Sequence, residues 1–162
     1  MVDVHQAEDA ESRDAVRRAP GDAAIMLETL EIASTRCDDI TPAVYERFFR
    51  HRADAAGYFP HSDASGLIGR GRMLNVVVEL LLDSAACESY VPENVRTSAY
   101  EHMSLRIFDP TLYQDFMIAL VDTLAELLGD DWGVARADVW RRQCVIFLEG
   151  LPVAEMRPGC TA

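Results

Sequence analysis

The chain has 162 residues, of which 49% are apolar, which suffices for one domain whose core needs no disulfide or metal staple. Its 27 acidic and 15 basic residues give a formal net charge of −12, a field that repels phosphate backbones and anionic lipid and argues against nucleic-acid and membrane partners. The four cysteines, Cys37, Cys87, Cys144 and Cys160, form no CxxC pair, zinc spacing or CxxCH, so they read as free thiols of a reducing, cytoplasmic compartment.

Residues 1–22, rich in Asp, Glu, Arg and Ala and ending near Pro20-Gly21, read as a flexible acidic tail with no apolar stretch of signal-peptide length. Met26, Leu27, Leu30 and Ala33 then make a short amphipathic helical segment. A second helix is predicted from Thr41-Pro42, a cap followed by a first-turn proline, with Val44, Tyr45, Phe48 and Phe49 on its buried face. From Leu67 to Ala86 the pattern is ambiguous, because Val76-Val77-Val78 favours a strand. The length of the run and the absence of proline after Pro60 decide for a buried helix. The longest apolar stretch, Met73 to Leu82, is interrupted by Asn75 and Glu79 and is too short to span a bilayer.

The clearest helix lies between Pro110 and Gly129. Tyr113, Phe116, Met117, Leu120, Leu124, Leu127 and Leu128 share one face. Asp109 sits at the N-cap, Pro110 at the first turn, and Gly129 closes the helix in the left-handed conformation. A last helix carries the stripe Trp140, Cys144, Phe147, Leu148 and Leu151 and should end near Gly150 or Pro152. The predicted class is all-α, with six to eight helices, a domain over 23–155 and a C-terminal tail over 156–162.

Three stretches in this order resemble the bacterial single-domain globins and the globin half of flavohaemoglobins. Val44-Tyr45-Glu46-Arg47-Phe48-Phe49, running on to Tyr58-Phe59, resembles the helix of the distal tyrosine and the phenylalanine that packs on haem. His102-Met103-Ser104-Leu105-Arg106-Ile107, followed by Pro110 and Tyr113, resembles the proximal histidine, its corner and the next long helix. Trp140, with Ala137, Asp138 and Val139, resembles a tryptophan of the last helix. The likeness spans residues 25–150. Two features depart from the pattern: the segment from His102 to Pro110 is one residue longer, and the distal position falls on Gly69 or Arg70 rather than on a histidine or glutamine.

The resemblance implies a globin fold packed around a non-covalent haem b, with His102 as the iron ligand. Phe59 would stack on the porphyrin, and Tyr45 would donate to a bound ligand and serve any catalysis. Met73 or Leu74 would lie one turn beyond the distal position. His61 would either touch a propionate or be a solvated loop residue. Tyr113 would stand behind His102 and, with a carboxylate such as Glu155, polarise the imidazole, although Gly150 and Pro152 should break the helix before Glu155. The leading expectation is reversible binding of oxygen or nitric oxide. The alternatives are a nitric oxide dioxygenase working with a separate reductase, since no GxGxxG follows a strand, and a haem-free regulatory interaction module, for which a homodimer is compatible.

Overall fold

In the computed structural model, which describes residues 21–59 and 64–156, the chain is all-α as the periodicity predicts. Among the described residues there are six α-helices and no strand: α1 (Asp22–Arg36), α2 (Thr41–His51), α3 (Ala64–Ala85), α4 (Val91–Ser104), α5 (Thr111–Leu128) and α6 (Gly133–Glu149). Short 3-10 turns occupy Ala53–Tyr58 and Gly129–Asp131. His61 lies outside the described residues.

The predicted stripe of α5 makes it the centre. Leu120, Leu124 and Leu128 are fully buried, and α1, α2 and α6 all pack on this helix. Each leucine contributes roughly 1.5–3 kcal/mol by leaving water. The Phe48 and Phe116 rings meet edge-on at 5.3 Å and lock α2 to α5. The α3 segment is helical through Val76-Val77-Val78, because Leu74, Leu81 and Ala85 bury a helical stripe and tertiary packing overrides β-branched propensity. Along α1, Met26, Thr29 and Ala33 form the buried stripe. Leu27, expected to belong to it, is 55% exposed.

Two helices start in the same way. The Asp109 Oδ1 accepts the Thr111 amide at 2.9 Å and the Thr111 hydroxyl at 2.6 Å, and the Asp39 Oδ1 accepts the Thr41 amide at 2.9 Å. The cap expected at Thr41 is therefore supplied two residues earlier, and Thr41 itself is buried inside α2. Such caps contribute about 1 kcal/mol each. Arg52, just past α2, reaches Asp54, Asp109 and Asp115 at 2.8–2.9 Å. It thereby ties the first 3-10 turn to the start of α5.

The ends of α3 and α4 carry a signal the sequence conceals. After α4, the Ile107 amide donates to the His102 carbonyl and the Arg106 amide to the Met103 carbonyl. After α3, the Glu88 amide donates to the Asp83 carbonyl and the Cys87 amide to the Ser84 carbonyl. Both are six-to-one turns that normally take glycine, yet Arg106 and Cys87 stand there with φ of 65° and 63°. A left-handed L-residue costs roughly 1–2 kcal/mol, part of which glycine loses again through its freer unfolded chain. Arg106→Gly should therefore raise stability by about 0.5–1 kcal/mol. A urea midpoint that stays or falls would show that Arg106 has compensating contacts.

Both domain boundaries move outward. Asp22 is 2% exposed and Met156 is 4% exposed, so each belongs to the packed body rather than to a tail. The Asp22 carboxylate accepts two bonds from Arg142 (3.0 and 2.8 Å) and one from the Gln143 amide at 2.9 Å. The Gln143 Oε1 in turn accepts from the Ser84 hydroxyl at 2.9 Å. This buried chain of bonds joins α1, α6 and α3.

Candidate functional site: an apolar cavity with one imidazole

The helix α4 packs chiefly on α3 and α6 through Val91, Val95 and Ala99. Between α4 and the helices α2, α3 and α5 lies a cavity of about 280 Å³, near the low end of the roughly 300–1,000 Å³ usual for ligand pockets. Its walls are mostly apolar, including Phe48, Phe59, Met73, Val77, Leu80 and Phe116. The polar side chains on it are Tyr58, Arg72, Ser98, Glu101, His102 and Tyr113.

His102 is set by its helix and by one bond. Its Nδ1 lies 2.7 Å from the Tyr113 hydroxyl, so the one-residue-longer corner still delivers Tyr113 to the imidazole. Burial lowers the His102 pKa, against a smaller opposing pull from the Glu101 carboxylate. Burial likewise raises the Tyr113 phenol above its usual range. At neutral pH the pair is thus an uncharged imidazole and an uncharged phenol. When Nδ1–H donates to the phenol oxygen, Nε2 keeps its lone pair and can ligate a metal. Among the described residues Nε2 makes no hydrogen bond.

This burial has a pH consequence. The folded pKa of His102 lies below its unfolded value, so between the two the unfolded chain binds more protons and stability falls as pH falls. Stability should therefore decline from about pH 6.5 downward until the folded imidazole protonates. His102→Gln should flatten that part of the curve. Parallel acid unfolding of the two proteins between pH 7 and 5 would refute the burial argument.

The other residues singled out in the sequence divide into two groups. Phe59 and Met73 line the cavity with His102 and Tyr113. Tyr45, Gly69, Arg70 and Leu74 do not. Tyr45 is 2% exposed, and its hydroxyl donates to the Arg70 carbonyl at 3.2 Å rather than into the cavity. Arg70 lays its guanidinium over the Tyr45, Phe49 and Phe59 rings at 5.3–5.9 Å and donates to the Phe59 carbonyl at 3.4 Å. Gly69 is exposed, and Leu74 is a core residue. Glu155 accepts from the Tyr100 hydroxyl at 2.7 Å, which leaves Tyr113 with the imidazole alone.

Sequence reasoning missed Arg72, Ser98 and Glu101. A signal for Arg72 exists in the spacing. Arg72, Met73, Val76, Val77 and Leu80 fall at helical intervals and share the cavity wall. Cys144 is buried with its thiol pushed up to about 12, so it is chemically quiet. Trp140 is fully buried, and its indole N–H has no hydrogen-bond partner among the described residues.

Among the described residues no group of three or more His, Cys, Asp or Glu side chains could hold a metal ion. Of the described residues, the site offers one imidazole, that of His102. Among the described residues no helix is long and apolar enough to cross a membrane. No protein-family model, curated protein or solved structure matches the chain.

Proposed function

We propose that the chain is a globin-type haem protein that reversibly binds oxygen or nitric oxide. The reading is carried by one observation: among the described residues an apolar cavity holds a single half-buried, neutral imidazole whose Nδ1 is engaged by Tyr113 while Nε2 makes no hydrogen bond. A bare imidazole is a poor site for a lone ion, but it suits a metal that brings its own equatorial ligands. The donor set therefore fits iron porphyrin. Haem held by His102 would supply an iron able to bind a diatomic ligand reversibly.

The chain's own residues would do the rest. His102 would hold the iron through Nε2, and Tyr113 would fix the tautomer and ring plane. Phe59 and Met73 would press on the porphyrin faces and keep water out. Tyr45, the donor that a dioxygenase would use, is committed to the Arg70 carbonyl. This supports binding over catalysis with an external reductase. The test is titration of the purified chain with hemin. A Soret band that saturates at one equivalent, and shifts on reduction under carbon monoxide, supports the reading. A spectrum that remains that of free hemin defeats it.

A further inference from the structure

A second cavity, of about 160 Å³, lies where the end of α3, the start of α4 and the end of α6 meet. Among the described residues it shares Phe147 with the His102 cavity and no polar side chain. Val91 and Val95 of α4, with Ile146 and Phe147 of α6, give it apolar walls. Its size suits one six-membered ring, since an apolar cavity of about 150 Å³ holds benzene. The polar side chains on it are Ser84, Glu88 and Glu149, and each can only accept a hydrogen bond. Ser84 is buried, and its hydroxyl donates to the Gln143 Oε1 at 2.9 Å, which leaves its lone pairs to an occupant. The two carboxylates have no proton to give at neutral pH. Among the described residues no basic side chain lines the cavity. The C-terminal end of α6 lies at it and favours positive charge. The start of α4 faces it too, but Pro92 has no N–H and the Val91 amide donates to the Glu88 carbonyl at 3.3 Å.

We propose that this cavity binds a small protonated amine whose apolar body is about the size of one ring. The body would lie against Val95, Ile146 and Phe147, and the ammonium would face Ser84 and Glu88. Other occupants fit the wall less well. An anion meets two carboxylates and finds no donor side chain. A neutral hydrocarbon strips water from the Ser84 oxygen and returns no bond to it. Glu88 is exposed, so its attraction for the ammonium is modest and weakens with salt. The net charge of −12 draws cations to the whole surface. Selectivity for this site therefore comes from the apolar walls and acceptors together. The proposal is independent of what occupies the His102 cavity.

The experiment titrates the full chain with benzylamine and with benzyl alcohol, which has nearly the same shape and no charge. Proton–nitrogen correlation spectra locate the binding and report whether each variant is folded. Benzylamine should give saturable shifts at the amides of Ser84, Val91, Val95 and Ile146 within the millimolar range. Benzyl alcohol should bind more weakly. Glu88→Gln should weaken benzylamine roughly 2- to 5-fold and leave benzyl alcohol unchanged. Glu31→Gln, which removes an exposed carboxylate on α1, should change neither. Ile146→Trp, which fills the space, should abolish both. Three results would each overturn the proposal. Without saturable shifts at these residues, the cavity is only hydrated. An equal response to Glu88→Gln and Glu31→Gln makes the attraction that of the net charge alone. Benzyl alcohol binding as tightly as benzylamine makes the site a neutral one.

Discussion

His102→Ala is expected to lower haem affinity by at least about 100-fold, near 2.7 kcal/mol. The reason is stoichiometric: among the described residues His102 is the sole histidine lining the cavity, so none of them there can replace the lost nitrogen. The truncation also leaves the Tyr113 hydroxyl without its partner at 2.7 Å, in an environment where an unpaired polar group costs about 1–3 kcal/mol. Added imidazole should enter the vacated space and restore a ferric spectrum close to the original. Tyr113→Phe should act more gently, because it removes the orienting bond but leaves the ligand; disturbing such a partner typically costs roughly 10- to 100-fold in metal affinity. Hemin titration with far-ultraviolet dichroism as a folding control checks both variants. An unaltered Soret band and haem-loss rate in His102→Ala would disprove the ligand assignment.

The largest effect on stability is expected from Asp22→Ala, a loss of about 3–5 kcal/mol. Asp22 stands in the first turn of α1 and is almost wholly shielded from water. Its carboxylate receives three bonds, two from Arg142 and one from Gln143. Removing it strands the Arg142 guanidinium and the fully buried Gln143 amide together. The loss compares with a total stability of roughly 5–15 kcal/mol for a domain of ordinary size, so the variant should melt far below the wild type. Asp22→Asn keeps the shape and one acceptor and should cost less. Ser34→Ala, on the exposed side of the same helix, should cost under about 0.5 kcal/mol. Denaturant midpoints for the three variants test the network; a loss below about 1 kcal/mol in Asp22→Ala would show that water replaces the carboxylate.

The sequence by itself determined the helices that have one apolar stripe and a clear stop. In α5 the spacing from Tyr113 to Leu128 and the Asp109 cap hold, because each is settled within a few residues; Gly129 has the expected positive φ of 51°, but its ψ of −121° is not that of the left-handed helical conformation. The pairing of His102 with Tyr113 was legible for a different reason: it came with the order and spacing of a resemblance, and the short distance between the two groups agrees with it. Three matters were decided only by tertiary structure. The turns at Cys87 and Arg106 carry no glycine, so no sequence signal marks their left-handed φ, which accompanies the six-to-one hydrogen bonds from Glu88 to Asp83 and from Ile107 to His102. The burial of Asp22 depends on Arg142 and Gln143, which lie about 120 positions away in the chain, and no local pattern encodes that meeting. The division of α3 between core and cavity depends on the rotation of the helix about its axis. One turn puts Arg72 and Met73 on the cavity and Leu74 in the core. The same rotation leaves Gly69 in solvent and turns Arg70 toward the Tyr45 ring. Helical period gives relative angles along a segment, whereas the absolute rotation is set by which neighbour the helix packs against.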